Sequence, residues 1–161
     1  MSTATPDAGG SVDIRKFAGI VRVRAEDTGG AMTVIEHVLP EGLVAMPLHR
    51  HARETEITYV LEGTLTVLIG DRALRLGPGE TMTKPVGVFH TFWNSGRNPA
   101  RFLEISSPGG LERYYEELNA IIPARGGVPI ARIMEISAAY GLEFDMSSLL
   151  DIIETHKVQL A

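Results

Sequence analysis

Gly42-Leu43-Val44-Ala45-Met46-Pro47-Leu48-His49-Arg50-His51-Ala52-Arg53-Glu54-Thr55-Glu56-Ile57-Thr58-Tyr59-Val60-Leu61-Glu62-Gly63 carries the most informative pattern in this chain. His49 and His51 are two positions apart, so on a strand both imidazoles leave the same face with Cα atoms about 7 Å apart, close enough to converge on one ion. Glu56 lies an odd number of positions further on and would point to the opposite face of an unbroken strand. The chain must therefore turn within Ala52 to Thr55. Glu56 then opens a new strand, with Thr58 and Val60 on its own face and Ile57, Tyr59 and Leu61 on the other.

Fifteen residues separate Gly63 from a second segment, Gly79-Glu80-Thr81-Met82-Thr83-Lys84-Pro85-Val86-Gly87-Val88-Phe89-His90-Thr91-Phe92-Trp93-Asn94. Pro85 to Gly87 reads as a turn, and the strand after it places His90, Phe92 and Asn94 on one face. His90 is thus available as a further donor beside His49, His51 and Glu56.

The two segments resemble the paired motifs of the cupin superfamily. The first reads G-x6-H-x-H-x4-E-x6-G, one residue longer before His49 than the usual family spacing, and the second reads G-x5-P-x-G-x2-H-x3-N. The likeness covers about residues 32–107, and Ser107-Pro108-Gly109-Gly110-Leu111-Glu112-Arg113-Tyr114-Tyr115 is similar to a tail of small single-domain, quercetinase-like cupins. The resemblance implies an all-β fold, a double-stranded β-helix or jelly-roll barrel, around one divalent metal ion held by His49, His51, Glu56 and His90. It further implies that Glu56 doubles as a catalytic base, and a dioxygenase-like activity on a small organic substrate. Metal-assisted isomerisation, hydrolysis or decarboxylation, and capture of a small molecule without chemistry, are the alternatives. Three neutral imidazoles and one carboxylate leave a divalent ion with a net positive charge and open coordination positions, and iron, manganese, nickel and zinc all suit such ligands.

Composition narrows the rest. The 161 residues are 44% apolar and 22% charged, enough for a single core without a metal or disulfide staple. A formal net charge of −5 has the wrong sign for a surface that neutralises phosphates, so nucleic acid is not an expected partner. The absence of cysteine excludes disulfides, thiolate zinc sites and a cysteine nucleophile. No apolar run approaches the ~20 residues of a membrane span, and the start lacks a basic and apolar leader. A cytoplasmic protein without membrane contact is expected.

Outward from the paired segments, three regions are expected: a disordered arm over 1–12, a barrel over 13–108 and a helical extension over 109–161. Short β-branched runs punctuated by Gly, Pro and Asp fill the second. In the third, a helix is expected to start near Leu111 and a second to run from about Ile130 to Tyr140 before Gly141. A last helix is expected from about Ser148, with a capping box to Asp151, through Leu160. This extension either closes one mouth of the barrel or embraces a neighbouring subunit, and the open edges of a jelly roll favour a homodimer.

Individual side chains carry their own expectations. Glu54, in the turn among Arg50, Arg53 and Thr55, reads as a solvated carboxylate. One of Glu36 and His37 must point inward, where it would be placed for proton transfer. Phe92, with Thr58, Val60 and Met82 or Thr83, is expected to line an apolar cavity. Asn94 is expected to hydrogen-bond the backbone of its turn, Tyr59 and Trp93 to serve packing or a subunit contact, and His156 to lie at the surface or an interface.

Overall fold

Strands form where β-branched and aromatic residues alternate with polar ones, and glycine and proline end them. A computed structural model describes residues 11–14, 17–122 and 127–161. The first half contains β1 (Ser11–Ile14), β2 (Phe17–Val23), β3 (Thr33–Leu39), β4 (Leu43–Val44), β5 (Leu48–His51) and β6 (Thr55–Glu62). There follow β7 (Leu65–Ile69), β8 (Arg72–Leu76), β9 (Thr81–Lys84), β10 (His90–Asn94) and β11 (Ala100–Ser107). Then come α1 (Leu111–Ile121), α2 (Ile130–Ala139), β12 (Leu142–Asp145), α3 (Ser148–His156) and β13 (Gln159–Leu160). Residues 1–10 of the expected arm lie outside the described residues, while Ser11 and Val12 belong to β1.

Two sheets face each other. One has the order β1-β2-β3-β11-β6-β9, and the other runs β12-β5-β10-β4-β13 with β7 on β10 and β8 beyond it. This is the expected all-β double-stranded β-helix. Burial along β6 alternates strictly, with Glu56, Thr58 and Val60 inside. Across from them on β11 lie Ser106, Glu104 and Phe102 in the same order. The interior is therefore polar at one end and apolar at the other, where Val60, Phe102, Leu39, Leu65 and Val67 are fully buried. Each such side chain contributes roughly 1.5–3 kcal/mol by leaving water, so the apolar end can hold the fold while the polar end carries chemistry.

Turn geometry locks the two motif segments together. Gly63 has φ 78°, and a Cβ there would stand 2.6 Å from the Pro99 carbonyl oxygen, so no other residue fits. Gly87, at φ 76°, donates its N–H to the carbonyl oxygen of His51 at 2.8 Å and joins the second segment to the first.

The region after residue 108 is more than helical. β12 pairs antiparallel with β5, setting Phe144 opposite His49 and Leu142 opposite His51. β13 runs parallel to β4. The last helix stops at His156 rather than reaching Leu160, because Lys157 takes a left-handed conformation with φ 56° and the chain turns back to the sheet. The expected capping box is absent too: the Ser148 hydroxyl donates to the Asp145 carbonyl oxygen instead of capping the helix. Between β10 and α3 a small second core forms from Val44, Trp93, Ile152 and Val158, which is why β10 is buried on both faces. Trp93 thus serves packing, and the exposed His156 ring stacks on it at 4.2 Å.

Candidate metal centre

The polar end of the barrel gathers donors from three strands. His49 and His51 leave β5 on one face, Glu56 is the second residue of β6 after the turn at residues 52–54, and His90 begins β10 directly opposite His49. One donor atom from each of these side chains lies within 4.8 Å of the others, and all four are buried.

Hydrogen bonds decide which atoms face inward. The Nδ1–H of His49 donates to the Pro47 carbonyl oxygen at 3.0 Å, and the Nδ1–H of His90 donates to the Val88 carbonyl oxygen at 2.9 Å. A carbonyl only accepts, so each ring carries its hydrogen on Nδ1 and presents the lone pair of Nε2 to the centre. Burial pushes the His49 imidazole well below its ordinary pKa, with the neighbouring His90 and His51 adding to the shift. Burial also lowers His90, against the pull of Glu56. Both shifts favour the neutral ring, the form that binds metals.

The His90 Nε2 stands 3.1 Å from the Glu56 Oε2, and the His51 Nε2 stands 3.4 Å from the same oxygen. Both His51 ring nitrogens are buried without a hydrogen-bond partner. A cluster of acceptors turned on one another, with an unsatisfied imidazole among them, fits a divalent cation bound by N and O ligands.

Glu54 departs from expectation. It is only 7% exposed, and its Oε2 lies 3.5 Å from the His51 Nδ1, because the turn after β5 folds the side chain back over the ring instead of into solvent. A carboxylate on the outer side of an imidazole that could bind a metal is placed to orient the ring.

Sequence reasoning also missed Lys84 and Glu104. Lys84 has no solvent exposure, and its Nζ donates to the Glu56 Oε2 at 3.0 Å and to the Glu104 Oε2. The other Glu104 oxygen accepts from the Thr58 hydroxyl at 2.6 Å. Burial works to raise the Glu56 pKa, but the Lys84 ammonium beside it outweighs this and holds the carboxyl well below the usual range. Burial likewise opposes the charge on Lys84, yet Glu104 and Glu56 keep its pKa above the ordinary lysine value. One signal was available: Lys84 shares the β9 face of Met82, two residues before it.

The other candidates separate. His37 is the inward member of its pair, packed against Phe102 and Tyr115, while Glu36 faces outward between Arg22 and Arg101. Asn94 donates to the carbonyl oxygens of Leu39 and Asn98 and accepts from the Gly96 N–H, the turn-holding role expected of it. Phe92 does not line the apolar cavity. Together with Val60 it is core, with Phe102 at 5.2 Å and the Lys84 ammonium 5.1 Å from its ring centroid. An apolar cavity of about 170 Å³ lies instead between the barrel and the C-terminal elements, lined in part by Met46, Pro47, Tyr115, Leu118, Ile133 and Phe144. It adjoins the centre, since the Pro47 carbonyl holds His49 and the Phe144 ring stacks on His49 at 5.5 Å.

A jelly-roll barrel with buried histidines and a glutamate converging at its polar end defines a class of β-barrels suited to bind a metal ion. Residues 35–106 match the Cupin_2 family, the cupin domain, and the barrel they form has the cupin fold. Germin-like protein 1 of Brassica napus is 32% identical over 88 residues, which are 50% of this chain and 42% of that protein. The chain thus spans less than half the length of that curated relative. KdgF from Halomonas sp. superposes with a TM-score of 0.57 at 19% identity, over 65% of this chain and 90% of that one. The oxalate decarboxylase of Lactobacillus farciminis gives 0.55 at 17% identity, over 63% of this chain and 31% of that one. Both likenesses show the fold. Among the described residues no helix is long and apolar enough to cross a membrane.

Proposed function

We propose that this protein is a metal-dependent enzyme that holds one divalent ion at His49, His51, Glu56 and His90 and acts as a dioxygenase on a small, largely apolar organic molecule. The observation that carries this reading is the convergence of four buried donors, with the His90 Nε2 3.1 Å from the Glu56 Oε2 while its Nδ1 donates to the Val88 carbonyl oxygen. An ion with three neutral imidazoles and one carboxylate keeps a net positive charge and open positions, at which it supplies Lewis acidity or dioxygen chemistry.

The chain's own residues supply the rest. The Pro47 and Val88 carbonyls fix two rings, Glu54 backs the third, and the apolar wall beside Phe144 excludes water and accepts an apolar substrate body. For Glu56 to act as a base as well as a ligand, Lys84 must first release its Oε2, because an ammonium 3.0 Å away holds its proton affinity down. A homodimer belongs to the same proposal, supported by the exposed Ile20 and Val38 on the neighbouring strands β2 and β3.

Elemental analysis of protein grown with iron, manganese, nickel and zinc, followed by turnover of candidate aromatic and alkyl substrates with and without dioxygen, tests the reading. About one ion per chain, and turnover that ceases under strict anaerobiosis, is the expected result. Undiminished anaerobic turnover would remove the dioxygenase in favour of metal-assisted isomerisation, hydrolysis or decarboxylation. A ligand recovered unchanged after long incubation with metal and oxygen would favour a binding protein.

A further inference from the structure

The buried charges do not end at the ligands. Across the inner faces of three neighbouring strands, β9, β6 and β11, Lys84 lies opposite Glu56 and Thr58 lies opposite Glu104. Lys84 is wholly buried and bonded to both carboxylates, so its charge has no water to screen it. It donates to Oε2 of Glu56, the same oxygen that faces the Nε2 atoms of His51 and His90. A resident cation and an incoming metal ion thus address one atom. Within the barrel Glu104 is the other acceptor of that ammonium, and the Thr58 hydroxyl holds it in place.

From this arrangement we infer that Glu104 is the built-in counter-charge of the metal centre: by sharing the Lys84 ammonium with Glu56 and balancing its charge it lets the Glu56 Oε2 pass to a divalent ion, and the Lys84–Glu104 pair thereby sets the affinity of the site. The inference rests on the metal-binding reading. Its sign is definite. Without the Glu104 charge, Lys84 has only Glu56 to pair with and its positive charge repels the ion; without Lys84 as well, the local charge returns to that of the native site. A role confined to packing would let each change harm binding and would give no rescue.

The test is the dissociation constant of Mn2+ and of Zn2+, measured by calorimetry and chelator competition on the full chain, for wild type, Glu104→Gln, Lys84→Met and the double variant. E104Q is expected to bind at least tenfold more weakly, 1.4 kcal/mol. K84M is expected to bind no more weakly than wild type, and K84M/E104Q to return to within about threefold of it. E104Q binding as tightly as wild type, or a double variant as weak as E104Q, overturns the inference while leaving the metal reading intact. A wild type that binds neither ion overturns both. Should E104Q fail to fold, K84M and the double variant decide: tighter binding in K84M that returns toward wild type in the double variant supports the inference, and equal binding in both, or tenfold weaker binding in either, overturns it.

Discussion

The Nε2 of His90 and the Oε2 of Glu56 face each other at 3.1 Å, although they are 34 residues apart and belong to different sheets. The Val88 carbonyl creates this opposition by taking the ring's only hydrogen on the far side. A neutral ring held this way turns its Nε2 lone pair toward the carboxylate, an arrangement that suits a cation between them.

Removing any one imidazole should empty the site without unfolding the barrel. In His49→Ala, His51→Ala and His90→Ala, elemental analysis is expected to find the ion lost, while circular dichroism keeps the strand signal, because the apolar end of the interior holds the fold. Unfolding of all three would instead make the site structural.

Glu54 offers a gentler probe. Glu54→Gln keeps the shape of the side chain but removes the charge behind the His51 Nδ1, and metal affinity should fall by about 10- to 100-fold with little change in unfolding midpoint. An unchanged dissociation constant would return Glu54 to a purely local role in its turn.

The metal-free protein should lose stability on the acid side. His49 and His90 are held below 6.5 when folded but titrate near that value when unfolded, so below about pH 6.5 the unfolded chain takes up protons that the folded chain refuses. Stability is full above this value and falls as pH drops toward the folded pKa values. Glu56, also depressed, adds a further loss below its ordinary 4.5. Denaturant midpoints of chelator-treated protein between pH 8 and pH 4, on the order of four units, check this, and a flat profile would contradict it.

Trp93 reports on the C-terminal elements. Trp93→Ala empties the space shared with Val44, Ile152 and Val158 and is expected to cost about 3–5 kcal/mol in urea unfolding. A loss below about 1 kcal/mol would mean that α3 is not firmly seated on β10.

Local spacing made the ligand set legible. His49 and His51 share a face because strands have a period of two, the shift in parity to Glu56 forces a turn, and the Pro85–Gly87 turn aims His90 at the same place. These relations need only the backbone within a dozen residues. The partners of the ligands were a different matter. Leu103 and Ile105 alternate with Glu104 as an apolar face would, which by pattern alone puts Glu104 outside, yet it is inside because Lys84 on β9 and Thr58 on β6 meet it there. Glu54 among arginines reads as solvated, and β12 cannot be read as a partner of β5 from its own four residues. Hydrophobic period and turn chemistry are written along the chain, and so they determined the strands and the faces of the candidate donors, while the barrel that joins them was implied by the resemblance to cupins. Burial of charge depends on which strands become neighbours, and only the folded sheets decided that.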